Sequence, residues 1–232
     1  SAIGQYELYA MRGIKGIMRY SGIALGVLVL SFFYLAENLV HEAIAISFII
    51  VALIRLFSKR NPSYGLNDMA TVMIAIIYVP VLFGYQVYLR KYGGADWIIF
   101  LYGSVWASDS LAYYVGKGIG KRKLYEEISP NKTIEGAFGS VAGGAIGALI
   151  IHSFFMRTIE IPLSKAMILG IIIGVISIAG DLVESMIKRD AGVKDSSGLI
   201  PGHGGILDKT DSFLFAGIVL YWAAVFMGLI IS

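Results

Sequence analysis

The chain has 232 residues, of which 57% are hydrophobic and only 15% are charged, and its mean hydropathy is +0.74. Soluble globular proteins carry about a quarter charged residues, so this composition excludes an ordinary soluble protein and indicates a membrane protein. The formal net charge of +3 is too small to indicate nucleic-acid binding. Because the chain has no cysteine, any metal must be held by oxygen or imidazole ligands.

Seven apolar windows are long enough for transmembrane helices, since a bilayer core of ~30 Å needs about 20 residues of helix. They lie near 19–36, 41–57, 69–89, 97–115, 134–155, 161–187 and 212–231. The sequence therefore predicts an all-α, polytopic helical bundle in a membrane. Since the chain shows no internal repeat, we expect a single membrane domain over 1–232.

The start of the chain favours further helices ahead of it. The chain begins at Ser1 without methionine, and its first fifteen residues are typical of the end of a helix that runs into a basic loop. We therefore expect one or two more spans before residue 1.

Basic residues are distributed unevenly between the predicted loops. Alternate loops carry fifteen of the nineteen, namely Arg12, Lys15, Arg19, Arg55, Lys59, Arg60, Lys117, Lys121, Arg122, Lys123, Lys132, Lys188, Arg189, Lys194 and Lys209. The opposite loops carry Arg90, Lys91, Arg157 and Lys165. Because Lys and Arg in short loops are retained in the cytoplasm, the long loops are predicted to face the cytoplasm.

The predicted sixth helix carries acids near its cytoplasmic end, in the segment GDLVESMIKRD. Its residues Asp181, Glu184, Ser185 and Lys188 follow a spacing of three and four and so share one helix face. An acid at this depth costs about 2.5 to 3.5 kcal/mol on insertion scales and normally has a partner or a function. The two carboxylates are candidate site residues. The alternative is a structural ion pair with Lys188 or with a neighbouring helix.

The segment 188–211 combines basic, acidic and glycine residues between two apolar stretches. The glycines after Pro201 allow a ligand to approach backbone N–H groups, and His203 and the lysines suit phosphate oxygens. Asp208 and Asp211 follow at the membrane edge. Carboxylates that face phosphates need a divalent cation between them, and hard oxygen ligands suit Mg²⁺. The alternative is a solvated basic loop.

Two smaller motifs add polar residues near the predicted membrane surface. In the segment 129–136, Lys132 and Thr133 lie where a helix start favours an anion, and Glu135 adds an acid. The alternative for this segment is an ordinary N-cap. Asp109 lies inside an apolar helix between two serines. It is either a metal or substrate residue or a hydrogen-bonded helix contact.

The segment 185–211 resembles the signature of the phosphatidate cytidylyltransferases, also called CDP-diacylglycerol synthases. The resemblance rests on Ser185-x-x-Lys188-Arg189, then Lys194-Asp195, then Pro201-Gly-His203-Gly204-Gly205-x-x-Asp208-x-x-Asp211. The segment 129–136 agrees with the family as well. One departure is Lys209, where the family usually has arginine; lysine keeps the charge but loses the bidentate fork.

The resemblance implies an integral membrane enzyme that joins CTP and phosphatidic acid into CDP-diacylglycerol and releases pyrophosphate. It implies Mg²⁺ as cofactor, with room for a second cation, and metal ligands Asp181 and Asp208, with Asp211 and Asp109 as further candidates. The implied catalytic residues are Asp181, Asp208, Lys188 and His203. The implied substrate-binding residues are Arg189, Lys194, Asp195, Gly204, Gly205, Lys209, Ser129, Lys132, Thr133 and Glu135.

Two other functions fit parts of the pattern. A CTP-dependent kinase of lipid alcohols, of the polyprenol or phytol type, resembles this family in its membrane fold but transfers the γ-phosphoryl group and releases CDP. The signature over 188–211 disfavours it. A transporter would show inverted repeats and interrupted helices around a midplane site, whereas the acids here gather at one surface.

The expected partners are CTP, phosphatidic acid and the lipid bilayer, without nucleic acid. We expect a multi-pass protein of the cytoplasmic membrane whose active site faces the cytoplasm. The glycine-rich stretch 139–147 is compatible with a homodimer. The alternative is helix packing within one chain.

Overall fold

The computed structural model describes residues 1–155, 161–202 and 204–230. Helices in these ranges are α1 (Ala2–Met11), α2 (Gly16–Leu35), α3 (Val40–Leu56), α4 (Gly65–Ile76), α5 (Leu82–Tyr88), α6 (Ala95–Ile119), α7 (Ile134–Phe154), α8 (Leu163–Asp190) and α9 (Leu207–Phe226). An antiparallel hairpin, β1 (Lys123–Tyr125) and β2 (Ser129–Thr133), separates α6 from α7. Short 3₁₀ turns precede α3 and α4, and π-helical segments lie on both sides of α5.

Six helical runs in the described ranges are long and apolar enough to cross a membrane: Gly16–Leu35, Glu37–Leu56, Pro62–Gly93, Ile134–Phe154, Leu163–Asp190 and Leu207–Phe226. They correspond to six of the seven predicted windows, and they confirm the all-α polytopic membrane bundle. The remaining window, 97–115, forms α6, which is 25 residues long. Asp109, the serines beside it and several Trp and Tyr side chains lower its hydropathy, so α6 is outside this set.

The chain divides into two compact units. The first unit comprises Ser1–Val87 and Asp190–Lys209, and the second comprises Tyr88–Arg189 and Thr210–Ser232. The single domain expected from the sequence stays a prediction.

Buried polar contacts hold α1 in the first unit. Gln5 Nε2 donates to Gly22 O at 3.1 Å, and the Tyr9 hydroxyl donates to Val72 O at 3.3 Å. A Cβ on Gly26 would collide with the Gln5 amide group, so a larger residue at this point would displace that side chain. Because both donors are fully buried, these bonds fix α1 against α2 and α4.

A buried ion pair fixes the turn between α3 and α4. Arg55 Nε lies 2.8 Å from Asp68 Oδ2, and both side chains are nearly inaccessible. Arg55 Nη2 also donates to Asn61 O at 2.6 Å, and Arg60 makes a second ion pair with Asp68 at 3.1 Å. A buried charge that is both paired and hydrogen-bonded offsets much of its desolvation cost. Two basic residues of this predicted cytoplasmic loop are therefore structural.

Small residues bring α6, α7 and α8 together in the second unit. A Cβ on Gly143 would lie 2.5 Å from Ala107 O, and one on Gly174 would lie 2.7 Å from Ser140 O. Ser140 Oγ donates to Gly174 O at 3.0 Å and lies 2.6 Å from Ser108 Oγ. Backbones that approach this closely are typical of helices packed in a membrane. The glycine-rich part of α7 thus packs within one chain, and the homodimer stays a prediction.

The hairpin, which the sequence did not predict, leads directly into α7. Thr133 Oγ1 accepts a hydrogen bond from Gly136 N at 3.0 Å, so Thr133 is the N-cap of α7. Glu135 Oε2 accepts from the backbone N–H groups of Lys121 and Arg122 at 3.0 and 3.2 Å. These contacts match the N-cap alternative for Thr133, and Glu135 ties the chain before β1 to the start of α7.

The loop predicted over 188–211 is shorter in the structure. α8 continues to Asp190 and α9 begins at Leu207, so that 191–206 form the loop. The predicted loop was too long because hydropathy marks only where the chain leaves the apolar layer. Both α8 and α9 extend beyond that layer. Lys188 in the last turn of α8 and Asp208 in the first turn of α9 both suit the helix dipole.

Candidate active site

Three carboxylates from two helices meet in the second unit. Asp181 and Glu184 lie on α8 and Asp211 lies on α9, with one oxygen of each within 4.8 Å of the others. The two helices approach closely because a Cβ at position 180, which is glycine, would lie 2.8 Å from Asp211 O. Glu184 is fully buried and Asp211 is 9% exposed, whereas the Asp181 side chain is 40% exposed. Asp181 is therefore the accessible member of this acidic cluster.

Asp109 of α6 extends the acidic cluster. Its carboxylate interacts electrostatically with Asp181 and with Lys132, and also with Asp211. The structure thus brings together three of the four predicted metal ligands. A set of carboxylate oxygens without sulfur ligands suits a hard divalent cation, which would also relieve the repulsion between the acids.

Lys132 at the end of the hairpin faces the acidic cluster. Its Nζ lies 2.7 Å from Asp181 Oδ2, and its side chain is 22% exposed. The hairpin is connected to the end of α8 by Arg189, whose Nε donates to Ile128 O at 3.2 Å. β2 begins at Ser129, so this predicted residue contributes to the strand that carries Lys132. Two cations predicted to bind phosphate therefore lie in the same unit as the acids.

An ion pair along α8 supports the buried member of the cluster. Lys188 Nζ lies 2.5 Å from Glu184 Oε2, and Ser185 Oγ donates to Asp181 Oδ1 at 3.4 Å. These four residues do share one helix face, as their spacing predicts. For Glu184 the structural alternative is realised, because Lys188 is its partner. The same carboxylate remains close enough to the other two acids to share a cation with them.

Asp208 organises the glycine-rich loop in the first unit. Its Oδ2 accepts hydrogen bonds from Gly205 N at 2.7 Å, from Ser196 N at 2.9 Å and from Ser196 Oγ at 2.8 Å. Gly204 has a φ of +82°, a conformation that favours glycine, and its carbonyl accepts from Ile200 N at 2.9 Å. One oxygen of Asp208 therefore holds the loop, and its role as a metal ligand stays a prediction.

Glu7 of α1 contacts the same loop and was not identified from the sequence. It is 2% exposed, and its carboxylate accepts from Ser197 Oγ at 2.6 Å, from Ile206 N at 3.0 Å and from Leu207 N at 2.8 Å. The two amides lie at the start of α9, where a helix leaves backbone N–H groups without partners of its own. The signal available in the sequence was an isolated acid among apolar and aromatic residues, and no motif marks it.

The other predicted residues of this segment are at the surface of the first unit. Lys194, Asp195 and Lys209 are exposed. His203 lies outside the described residues. The loop belongs to the first compact unit and the acidic cluster to the second.

Known proteins resemble this chain over most of its length. It is 34% identical to the phosphatidate cytidylyltransferase of Bacillus subtilis (strain 168) over 233 residues, which cover 95% of this chain and 84% of the relative. The enzyme of the same name from Staphylococcus saprophyticus is 39% identical over 218 residues, with 90% and 80% covered. That of Synechocystis is 44% identical over 129 residues, with 56% and 43% covered. The family model described as "Cytidylyltransferase family" matches residues 1–227. The chain therefore belongs to the cytidylyltransferase family.

Proposed function

We propose that this protein transfers a cytidylyl group from CTP to phosphatidic acid, which gives CDP-diacylglycerol and pyrophosphate for phospholipid synthesis. The observation that carries the proposal is the acidic cluster with Lys132 at 2.7 Å from Asp181, in a chain whose relatives are phosphatidate cytidylyltransferases. Two reacting phosphates require positive charge beside them. A cation shared by these carboxylates would supply it, together with the neighbouring lysine.

The reaction depends on charge neutralisation and alignment. An oxygen of the lipid phosphate attacks the α-phosphorus of CTP, the bond from that phosphorus to the oxygen bridging to the β-phosphorus breaks, and pyrophosphate leaves. The lipid phosphate is already an anion at neutral pH, so no general base is required. Positioning and prearranged positive charge can therefore supply most of the acceleration.

The acidic cluster is the proposed cation site. Asp181 and Asp211 would hold Mg²⁺, with Glu184 and Asp109 beside them. When bound, the cation neutralises phosphate charge and orients the phosphate oxygens. Lys132, and Arg189 at the end of α8, are proposed to bind phosphate oxygens. Lys188 keeps Glu184 in place through their ion pair.

The loop of the first unit is proposed to act on the nucleotide. Lys194 and Lys209 are exposed cations suited to phosphate oxygens. Asp208, with Gly205 and Gly204, gives the loop its shape. The hairpin residues Ser129, Thr133 and Glu135 are proposed to act by placing Lys132, and Asp195 and His203 are further proposed substrate contacts.

The reaction is proposed to take place at the cytoplasmic face of the cytoplasmic membrane. The chain is a multi-pass membrane protein, and Lys132, Lys194 and Lys209 lie in segments that the sequence predicts as loops rich in basic residues. At this face CTP arrives from water and the lipid arrives from within the membrane.

The test is incubation of the purified protein with CTP, phosphatidic acid and Mg²⁺, followed by analysis of lipid and nucleotide products. We expect CDP-diacylglycerol and pyrophosphate in equal amounts. If a lipid alcohol were phosphorylated and CDP released instead, the protein would be a lipid kinase. Solute flux into liposomes without nucleotide would indicate a transporter.

A further inference from the structure

One carboxylate of α1 contacts the loop 191–206 at its middle and at its end. Glu7 accepts from Ser197 Oγ in the middle of the loop and from the amides of Ile206 and Leu207 where the loop ends and α9 begins. Ser196 Oγ lies between two acids, 3.2 Å from Glu7 Oε2 and 2.8 Å from Asp208 Oδ2. A hydroxyl has one proton, so Ser196 donates to one of the two carboxylates at a time.

The Glu7 carboxylate lies so close to position 205 that only glycine fits there without a shift of its neighbours. A Cβ on Gly205 would collide with Ser196 Oγ and with the Glu7 carboxylate, while Gly205 N donates to Asp208 at 2.7 Å. The backbone of the loop therefore packs directly on Glu7. A side chain at this position would displace either the loop or the Glu7 carboxylate from this contact.

The environment of Glu7 suits a carboxylate that holds backbone in place. A buried charge is costly unless it is hydrogen-bonded, and this one accepts from the Ser197 hydroxyl and two backbone amides, with the Ser196 hydroxyl 3.2 Å away as a shared donor. The two amides belong to the start of α9, where the helix dipole favours a negative charge. Removing the charge would weaken the hydrogen bonds that these two amides donate at the end of the loop.

We propose that Glu7 is a positioning residue for the use of CTP, an inference that rests on the proposed function. Lys194 precedes Ser196 by two residues, and Lys209 follows Leu207 by two residues. Lys194 therefore lies two residues from a serine whose hydroxyl contacts Glu7, and Lys209 lies two residues from a backbone amide that donates to Glu7. Glu7 fixes the loop in the shape that presents the lysines to the phosphates of the nucleotide, and it does not touch the substrate itself.

The variant Glu7→Gln tests this role because it keeps the size of the side chain. Its amide has one acceptor oxygen, and its NH₂ group would face backbone N–H donors. We expect kcat/KM for CTP to fall about 10- to 100-fold, as for other residues that orient a binding group. The KM for CTP should rise, while the KM for phosphatidic acid stays within about twofold.

A matched control on the same helix is Gln5→Ala. This variant removes the buried contacts of Gln5 with Gly22 and Tyr9 and so destabilises α1 without touching the loop. It should lower the melting temperature in detergent and leave the KM for CTP within about twofold of wild type. A loss of folded protein lowers kcat and changes neither KM, which separates stability from positioning.

The inference is overturned if Glu7→Gln is active with an unchanged KM for CTP, or if it raises the KM values of both substrates equally. Should Glu7→Gln fail to fold, Ser197→Ala removes one contact of the same carboxylate and must raise the KM for CTP about 3- to 10-fold; an unchanged value overturns the inference as well. Wild-type protein that forms no CDP-diacylglycerol would overturn the proposed function together with this inference.

Discussion

Replacing Asp181 by asparagine should raise the Mg²⁺ concentration that the enzyme needs, without unfolding it. The substitution keeps the shape of the side chain and removes one charge from the acidic cluster. Asp181 is the most exposed of the three clustered acids, so its loss opens no cavity. Asp211 remains as a proposed ligand with Glu184 beside it, so the cation site should be weakened rather than abolished.

The size of the effect follows from Coulomb's law. A unit charge and a divalent cation about 4 Å apart interact by about 2 kcal/mol at the dielectric constant of water, which corresponds to roughly thirtyfold in affinity. The dielectric constant of water is the appropriate limit because the Asp181 side chain is 40% exposed. Asp181→Asn should therefore show half-maximal activity at roughly thirty times the wild-type Mg²⁺ concentration, with part of the turnover recovered at saturating Mg²⁺.

The matched comparison is Asp208→Asn. This residue of the first turn of α9 accepts three hydrogen bonds from the preceding loop, of which an amide oxygen can keep at most two, in weaker form. Three charge-assisted bonds contribute about 1.5 kcal/mol each, and two neutral ones about 1 kcal/mol each. The substitution therefore removes about 2.5 kcal/mol of the free energy that stabilises the loop. Activity should fall without recovery at high Mg²⁺. Steady-state rates at varied Mg²⁺ test whether Asp181 binds the cation and Asp208 holds the loop. Recovery of activity by Asp208→Asn at high Mg²⁺, with no recovery by Asp181→Asn, would refute this assignment.

Three further predictions use other contacts. Lys209→Ala should lower kcat/KM for CTP about 10- to 150-fold while Lys209→Arg is tolerated, and equal kinetics of the two variants would remove Lys209 from the phosphate site. Glu184→Gln leaves the nearly buried Lys188 without its charged partner and should lower the melting temperature by several degrees, whereas an unchanged melting curve would show that the pair is not stabilising. Cysteines placed singly at Leu199 and Lys121 should react with an impermeant thiol reagent from the cytoplasmic side alone, and labelling from opposite sides would contradict the predicted topology.

The membrane helices could be predicted closely because each apolar window depends on local composition. α7 was expected over 134–155 and forms Ile134–Phe154. The hairpin before it could not be predicted, because its strands are short, polar and interrupted by Pro130, and they have no hydrophobic alternation. The loop after α8 was predicted too long, because charged residues such as Lys188 and Asp208 remain helical beyond the apolar window.

The candidate site was partly visible in the sequence. The three-and-four spacing of Asp181, Glu184 and Lys188 predicts their shared face from helix geometry alone. Which partner each acid takes depends on tertiary structure, and the pairing of Lys132 with Asp181 joins residues from a strand and a helix far apart in the chain. Glu7 could not be found at all, because its function depends on where α1 packs.

The most direct test of the central claim is product analysis of purified protein supplied with CTP labelled at the α-phosphate, phosphatidic acid and Mg²⁺. If the protein is a phosphatidate cytidylyltransferase, the label appears in CDP-diacylglycerol, unlabelled pyrophosphate is released in equal amount, and chelation of Mg²⁺ stops both. Release of the label as CDP, with phosphate transferred to a lipid and no CDP-diacylglycerol formed, would contradict the proposed function.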